Sequence, residues 1–358
     1  MELVPLLKRL SEASGVSGHE REVRTIVSEE FGRHADQVWV DTLGNVVAHK
    51  RGVGPEPRPS VMLATHMDEI GLIVSLVDED FVRFRHVGGY DDRVLLGQEV
   101  TVHGRRDLPG VIGARPPHVL PAKERKQPIG RDKLMIDVGL PPQEVADLVR
   151  VGDLITMKRH LVELKGDLVT GKALDNRVSV VAAAACLEEL SRMRHRWDVY
   201  AVATAQEEVG TKGALTASHG LRPDIGLAID VTWAKQPGAP DEYTYELGEG
   251  PTIGCGPNFH PKLQEALVET AKALEMSYHI EPAARPGGTD AYALQIAREG
   301  IPTALISIPE RNMHTPVETV SVKDIERTGR LLAAFVAGLD DDFVRRLAWE
   351  GELEEGPE

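Results

Sequence analysis

The segment between Leu174 and Asp230 decides the fold, because it contains apolar runs that each carry acidic residues at one end. The runs are LDNRVSVVAAAACLEEL (174–190), DVYAVATAQEEVG (198–210) and IGLAID (225–230). The first run predicts a helix, and the other two predict buried strands. The acids Asp175, Glu207, Glu208 and Asp230 therefore lie at the edges of buried elements. A carboxylate there needs a partner, most often a metal or a base.

The alternation of strands and helices after Leu168 predicts the fold class. Predicted helices at VSVVAAAACLEELSRM and PKLQEALVETAKALEM alternate with predicted strands such as IPTALISI (301–308). This alternation favours an α/β fold, in which a mixed central sheet has helices on both faces. Upstream, SVMLATHMDEIGLIV (60–74) lacks the alternation of a half-exposed strand, and it predicts one strand buried on both faces.

Residues 71–164 have a different composition from the rest of the chain. Short predicted strands, among them FVRFRHV, EVTVHG and DLITM, are separated by Gly and Pro. This pattern predicts a small, barrel-like, β-rich domain inserted into the α/β domain. The catalytic α/β domain would then comprise residues 1–70 and 165–358. Within it, residues 350–358 form a predicted acidic tail.

Charge and cysteine content exclude several classes of function. The 358 residues include 41 basic and 56 acidic side chains, a net charge of −15 that argues against binding to a nucleic-acid backbone. The two cysteines, Cys186 and Cys255, form no CxxC pair, which argues against a cysteine zinc site. The sequence contains no apolar run of about 18 residues and no secretion signal, so we expect no membrane association and a cytoplasmic location.

Two histidines complete a candidate set of metal ligands. His66 and Asp68 are two residues apart, so on a strand they share a face, and Asp68 can hydrogen-bond the far nitrogen of the His66 ring. His314 follows a predicted strand in IPERNMHTPVE. Each residue alone has a simpler explanation, since Asp175 could merely cap a helix and the histidines could be loop or surface residues. The set is more informative because its members all fall at strand ends or helix starts.

A site for two cations that share one carboxylate would give every residue of this set a role. Asp175 is the candidate bridge, and Glu207 is left over as a base for a water molecule. The mixed nitrogen and oxygen ligands suit zinc first, with cobalt or manganese as alternatives, so we expect two divalent ions per subunit. One ion would be held by His66, Asp175 and Asp230, and the other by Asp175, Glu208 and His314.

Six motifs of this chain resemble those of a known family. The motifs are ATHMDEIG, ALDNR, QEEVGTKGA, AIDVT, PGGTDAYAL and MHTPVETV, and they occur in the family's order. From about Leu6 to Gly338, the sequence is similar to the TET-type dinuclear metallo-aminopeptidases, which include glutamyl and deblocking aminopeptidases. The resemblance implies a zinc-exopeptidase-like fold, a dimerisation role for the inserted domain, and dimers assembled into a hollow dodecamer.

The same resemblance implies roles for individual residues. Glu207 corresponds to the general base, and Asp68 corresponds to the acid that orients a ligand. A non-proline cis peptide is implied between Asp175 and Asn176. The implied metal ligands are His66, Asp175, Glu208, Asp230 and His314.

The predicted activity is metal-dependent removal of N-terminal amino acids from peptides by a water that two metal ions activate. The alternatives are a metal-dependent deacylase of N-acyl amino acids, an endoglucanase-like glycoside hydrolase and a non-catalytic scaffold. Adjacent glutamates make a poor glycosidase pair, because such enzymes hold their two carboxyl groups apart. A scaffold would have lost a ligand or the base, and none is missing.

Substrate preference and the residue that holds the substrate α-amine stay open at the level of sequence. A pocket for an acidic side chain would need a base such as Arg285 or Arg311, whereas a pocket for leucine would need an apolar wall. Tyr292 stands in PGGTDAY where the family is expected to have a small residue, which puts the side-chain preference in doubt.

Overall fold

The computed structural model describes residues 1–123, 125–127 and 129–349. The acidic tail predicted at 350–358 lies outside the described residues. Within them, a large mixed sheet and a closed barrel confirm the expected α/β fold with a β-barrel insert. The barrel strands fall between Gly71 and Met157, inside the segment that the sequence assigns to the inserted domain.

The N-terminal part supplies helices and strands to the large sheet. Its elements are α1 (Leu3–Glu12), α2 (Arg21–Gly32), β1 (Gln37–Val40), β2 (Val46–Lys50) and β3 (Ser60–His66). Helix α1 buries Leu6, Leu7 and Leu10, whose spacing of three and four residues places them on one face. Strands β1 and β2 form an antiparallel hairpin. Every residue of β3 is buried, as expected for a strand covered on both faces.

The prediction of one continuous strand over residues 60–74 is wrong. Strand β3 ends at His66, and the chain resumes a strand only at Gly71, as part of the barrel. Between these strands, the backbone N–H of Glu69 donates to the carbonyl of Gly15, and the N–H of Ser17 donates to the carbonyl of Glu69. The chain therefore pairs with the N-terminal segment where it crosses from one domain to the other.

The inserted barrel has its own apolar core. Its elements are β4 (Gly71–Asp78), β5 (Phe81–Val87), β6 (Glu99–His103), β7 (Asp107–Ala114), β8 (Leu134–Asp137), α3 (Pro142–Leu148) and β9 (Leu154–Met157). Antiparallel neighbours close it in the order β4-β5-β8-β7-β6-β9. In β7, Leu108, Gly110 and Ile112 are buried while the residues between them are exposed, the period of two that a one-sided strand requires.

The chain then returns to complete the large sheet and its helical layers. The elements are β10 (Val162–Glu163), β11 (Leu168–Gly171), α4 (Leu174–Leu190), β12 (Asp198–Thr204), α5 (Lys212–Leu221), β13 (Ile225–Trp233), β14 (Thr252–Cys255), α6 (Pro261–Ala273), β15 (His279–Pro282), α7 (Asp290–Gln295), β16 (Thr303–Arg311), β17 (Glu318–Ser321), α8 (Val322–Gly338) and α9 (Phe343–Arg346). Among the described residues, the strand order is β1-β2-β12-β3-β13-β16-β17-β11-β10, with β14 joining β16 to β15.

The centre of this sheet determines where a site can form. Strands β12, β3, β13 and β16 run parallel to one another, so their carboxyl ends reach the same edge. Helices α4 and α8 pack against each other and share buried clusters with one face of the sheet, while α5 and α7 pack together at the other. The Asp175–Asn176 peptide at the start of α4 is cis, as expected. None of the described helices has the length and apolarity to cross a membrane.

Candidate metal centre

The predicted site residues meet at the carboxyl edge of the parallel strands, where α/β folds place their ligands. His66 is the last residue of β3, and Asp230 lies towards the end of β13. Glu207 and Glu208 are the third and fourth residues after the end of β12, at the same edge. The loop after β16 supplies His314, and the first turn of α4 supplies Asp175.

Asp175 lies between the two imidazoles. Its Oδ1 atom is 3.1 Å from Nε2 of His66, and its Oδ2 atom is 3.3 Å from Nε2 of His314. The N-cap position of helix α4 belongs to Ala173, and the two oxygens of Asp175 face the imidazoles instead. Two further carboxylates lie near these imidazoles. The Oδ1 atom of Asp230 is 3.8 Å from Nε2 of His66, and the Oε2 atom of Glu208 is 3.6 Å from Nε2 of His314.

Potential ligands form three overlapping groups among the described residues. In each group, one nitrogen or oxygen atom per residue lies within 4.8 Å of the corresponding atoms of the others. Two of the groups share Asp175, which offers a different oxygen to each imidazole, so the arrangement suits two cations that share one carboxylate. These two groups are His66, Asp175 and Asp230 on one side, and Asp175, Glu208 and His314 on the other; the third group is His66, Glu207 and Glu208.

Glu207 lies against the same cluster and has a carboxylate oxygen to spare. Its Oε2 atom is 3.9 Å from Nε2 of His66. Its Oε1 atom is buried and has no hydrogen-bond partner among the described residues. A buried polar atom normally has a partner, so this oxygen is a candidate to contact a water or a substrate group.

Asp68 organises the two glutamates and faces the His66 ring. Its Oδ1 atom accepts from the backbone N–H of Glu207 at 3.0 Å, and Oδ2 accepts from that of Glu208 at 3.2 Å. Oδ1 also lies 3.5 Å from Nδ1 of His66, and Oδ2 accepts a 2.6 Å hydrogen bond from the Ser17 hydroxyl. Asp68 is therefore placed to fix both the backbone of the acid pair and the orientation of the imidazole.

Electrostatics show how much negative charge the site concentrates. Burial raises the pKa of Glu207 and of Asp230, and neighbouring carboxylates raise both further, although His66 opposes them. Burial alone would raise the pKa of Asp175, but hydrogen bonds with the two imidazoles hold it well below its ordinary value. The hydrogen bond with Asp175 in turn raises the pKa of His314 to about 9. Because carboxylates outnumber imidazoles, protons or bound cations must offset the excess charge.

Sequence analysis missed Glu318, a fully buried acid that ties two parts of the site together. Its Oε2 atom accepts from the backbone N–H groups of Leu174 and Asp175 at 2.7 and 3.2 Å, and Oε1 accepts from that of His314 at 3.1 Å. The Glu318 carboxylate thus hydrogen-bonds the two backbone segments that carry Asp175 and His314. The only signal in the sequence was its place in the MHTPVETV motif.

Two more buried acids were also missed. Asp290, in the PGGTDAY motif, accepts a 2.5 Å hydrogen bond from the hydroxyl of Thr204 at the end of β12, and burial raises the pKa of Asp290 to about 6. Glu310 on β16 is completely buried, and neither of its oxygens has a hydrogen-bond partner among the described residues. Burial, and then the charge of Glu318, raise the pKa of Glu310.

The residues considered for substrate preference lie outside this cluster of ligands. Arg285 is exposed. The Nε atom of Arg311 donates to the carbonyl of Lys235 at 2.7 Å. Tyr292 keeps 43% of its surface exposed on α7.

Imidazoles and carboxylates gathered at the carboxyl edge of an α/β sheet are the means by which a metal-dependent hydrolase activates water. That class of enzyme is the one the fold and the cluster define. The chain belongs to the M42 glutamyl aminopeptidase family, whose model matches residues 44–331. A second model, described as AMPT, matches residues 4–26.

Individual relatives of this chain are named as aminopeptidases or peptidases, in agreement with the family model. The chain is 38% identical to a lysyl aminopeptidase of Pyrococcus furiosus over 93% of this chain and 96% of that protein. Among solved structures, a TET aminopeptidase from a marine-sediment Thaumarchaeota archaeon aligns with a TM-score of 0.90 at 34% identity, covering 97% of this chain and 99% of that one. The TET1 peptidase of Pyrococcus horikoshii, which can assemble into a tetrahedron or a large octahedral shell, aligns at 0.83 and 32% identity over 94% and 100%.

The comparisons confirm the family and the activity expected from the sequence motifs. The chain is a metal-dependent aminopeptidase, and thus a peptide hydrolase. The relatives named aminopeptidase favour this activity over the deacylase and glycosidase alternatives, although a Thermotoga maritima structure described as an endoglucanase also aligns, with a TM-score of 0.75 at 29% identity over 96% of this chain and 99% of that one.

Proposed function

We propose that this enzyme releases N-terminal residues from peptides with two divalent cations held around Asp175, and with Glu207 as the general base. The observation that carries the proposal is the position of Asp175, whose two oxygens face two different imidazoles at 3.1 and 3.3 Å. The proposed ligands are His66 and Asp230 on one side, Glu208 and His314 on the other, and Asp175 between them.

The donor set fits divalent cations on chemical grounds. Each side offers one imidazole nitrogen and carboxylate oxygens, a mixture that suits zinc and also admits cobalt or manganese. The Oε1 atoms of Glu207 and Glu208 are buried without a hydrogen-bond partner among the described residues, which is unfavourable unless a cation or a water accompanies them. Zinc is our first choice for the metal.

The protein's own groups account for the proton transfers. When bound, the ions would supply Lewis-acid activation of a water and of the scissile carbonyl. Glu207 accepts the proton of the attacking water at a carboxylate oxygen and later donates it to the leaving amine. Burial raises the pKa of Glu207, the direction that makes its carboxylate a stronger proton acceptor. Asp68 holds the backbone of Glu207 in place through both steps.

A pair of neighbouring substitutions tests these roles. In Glu207→Gln, we expect two metal ions per chain to remain while kcat falls about 100- to 10,000-fold, the usual contribution of a general base. In Glu208→Gln, we expect weaker metal binding, measured by elemental analysis after dialysis against a chelator. A Glu207→Gln enzyme that keeps both ions and turns over within a few-fold of the wild type would refute the assignment of the base.

We also propose that the inserted barrel forms a dimer contact and that dimers assemble into a dodecamer. Support comes from the assemblies of the TET1 relatives and from apolar side chains that the barrel leaves exposed, including Leu76, Leu96, Val111 and Val151. Light scattering should give the mass of twelve chains for the wild type. A Val151→Asp variant should give a smaller species, and a monomeric wild type would contradict the proposal.

A further inference from the structure

The loop that carries His314 has a left-handed backbone. This loop, residues 312–317, joins β16 to β17, and Asn312 has a φ angle of 59° and His314 one of 61°. Residues other than glycine rarely adopt this region, and asparagine is among those that tolerate it best. The side chain of His314 is also 38% exposed, whereas that of His66 on β3 is 2% exposed. His314 therefore depends on its loop for its direction more than His66 does.

Asn312 closes this loop by bonding to its far end. The Nδ2 atom of Asn312 donates to the carbonyl of Val317 at 3.2 Å. The hydroxyl of Thr315 donates to the carbonyl of Asn312 at 2.7 Å and accepts from the backbone N–H of Val317 at 3.2 Å. His314 lies between these contacts, so they limit the conformations that its backbone can adopt.

A second segment, which follows β13, supports the loop from outside. The Nε atom of Arg311 donates to the carbonyl of Lys235 at 2.7 Å, and the backbone N–H of Asn312 donates to Oε1 of Gln236 at 3.1 Å. Strand β13 carries Asp230, a proposed ligand on the other side of the centre. The Gln236 side chain thus ties the loop of one proposed ligand to the strand of another, across 76 residues of sequence.

We propose, on the basis of the two-cation site put forward above, that Asn312 and Gln236 are positioning residues that hold the His314 imidazole ready for a cation. The backbone N–H of His314 donates to Glu318, which fixes one point of the loop. Asn312 and Gln236 fix a second point, so the imidazole is aimed as well as attached. Without them the metal-free loop relaxes, and metal binding must restore its geometry at the expense of affinity.

Metal titration against a chelator of known affinity tests the role of Asn312, and His314→Ala identifies the cation that the loop holds. Asn312→Ala loses the bond to Val317 and places alanine in the left-handed region. We expect its affinity for that cation to fall about 10- to 100-fold. Asn312→Gly loses the same bond without the strain, so the fall should be about 2- to 10-fold. The cation on the His66 side should bind as in the wild type.

The same titration tests Gln236 with a conservative rescue. Gln236→Ala removes the acceptor of the Asn312 N–H, and we expect affinity for the cation beside His314 to fall about 2- to 10-fold. Gln236→Glu keeps an accepting oxygen and should bind metal as the wild type does. Gln264→Ala removes the same kind of side chain from α6 and is the control, with no change expected. At saturating metal, kcat of the Asn312 and Gln236 variants should return to near the wild-type value, because only metal occupancy is affected.

Two results would overturn the proposal. The first is wild-type affinity at both sites in Asn312→Ala and Gln236→Ala. The second is an equal loss at both sites, which would indicate a general effect on the fold rather than on the direction of His314. Wild-type protein that binds fewer than two cations would instead contradict the two-cation site itself, and this inference with it.

Discussion

Replacing Asp68 by asparagine should weaken metal binding although Asp68 is not a proposed ligand. Asp68 has no exposed surface, and its two oxygens receive the Ser17 hydroxyl and the backbone N–H groups of Glu207 and Glu208. An asparagine amide keeps only one accepting oxygen, and its NH₂ group must face the donors on the other side.

The less costly orientation places the new NH₂ group at the Oδ2 position. The Ser17 hydroxyl can then rotate and accept instead of donate, but the N–H of Glu208, now 3.2 Å from Oδ2, loses its acceptor. A buried N–H without a partner costs about 1–3 kcal/mol, and the charge that faces His66 is also lost. Since Glu208 and His66 lie on opposite sides of the proposed centre, we expect metal affinity to fall about 10- to 100-fold.

Competition with a chelator of known affinity would measure this loss for Asp68→Asn, and activity at saturating metal would be measured in parallel. Ser17→Ala is the matched lesser change, since it removes one donor and leaves the Asp68 carboxylate. We expect its metal affinity to lie between those of the wild type and Asp68→Asn. If Asp68→Asn bound metal as tightly as wild type and kept its kcat, the hydrogen bonds of Asp68 could not be organising the site.

Two other predictions concern the metal-free protein and its thiols. Burial, and then the charge of Asp175, raise the pKa of Glu208 from 4.5 to about 8. Without metal, the folded state therefore retains a proton that the unfolded state releases as the pH rises. Calorimetry should show the melting temperature of the apo protein falling between about pH 5 and 8. Bound metal should remove this pH dependence. Burial also raises the pKa of Cys186, so a thiol reagent should modify Cys255 in the native protein and Cys186 only after unfolding; rapid reaction of both would contradict the packing.

The position of the candidate centre could be predicted because it follows from strand chemistry. Apolar runs that end in acids or histidine become the central parallel strands, whose carboxyl ends must meet. His66, Glu208 and Asp230 are therefore brought together by topology alone. The metal ligands proposed from the sequence cluster in the structure together with Glu207, and their role as ligands stays a prediction.

The supporting acids could not be predicted, because their partners are distant in sequence. Glu318 meets Leu174 across 144 residues, and Asp290 meets Thr204 across 86. Nothing in the local pattern distinguishes such an acid from one on the surface.

The false prediction of one strand over 60–74 has a related cause. Its apolar pattern conceals a change of domain, and the only local sign of that change is the acidic pair Asp68–Glu69 within the run.

The place where the barrel is inserted links it to the chemistry. The chain leaves the large sheet directly after His66, and Glu69, three residues on, is fixed there by Lys172, whose ammonium lies 2.7 Å from its carboxylate. The first barrel hairpin then returns to the site. A Cβ atom added at Gly88 would lie 3.5 Å from Cβ of Glu208, and one added at Gly89 would lie 3.2 Å from Nδ1 of His314. The glycines therefore let the barrel approach one side of the proposed centre closely, so any shift of the barrel against the sheet would disturb Glu208 and His314 before it reached Asp230.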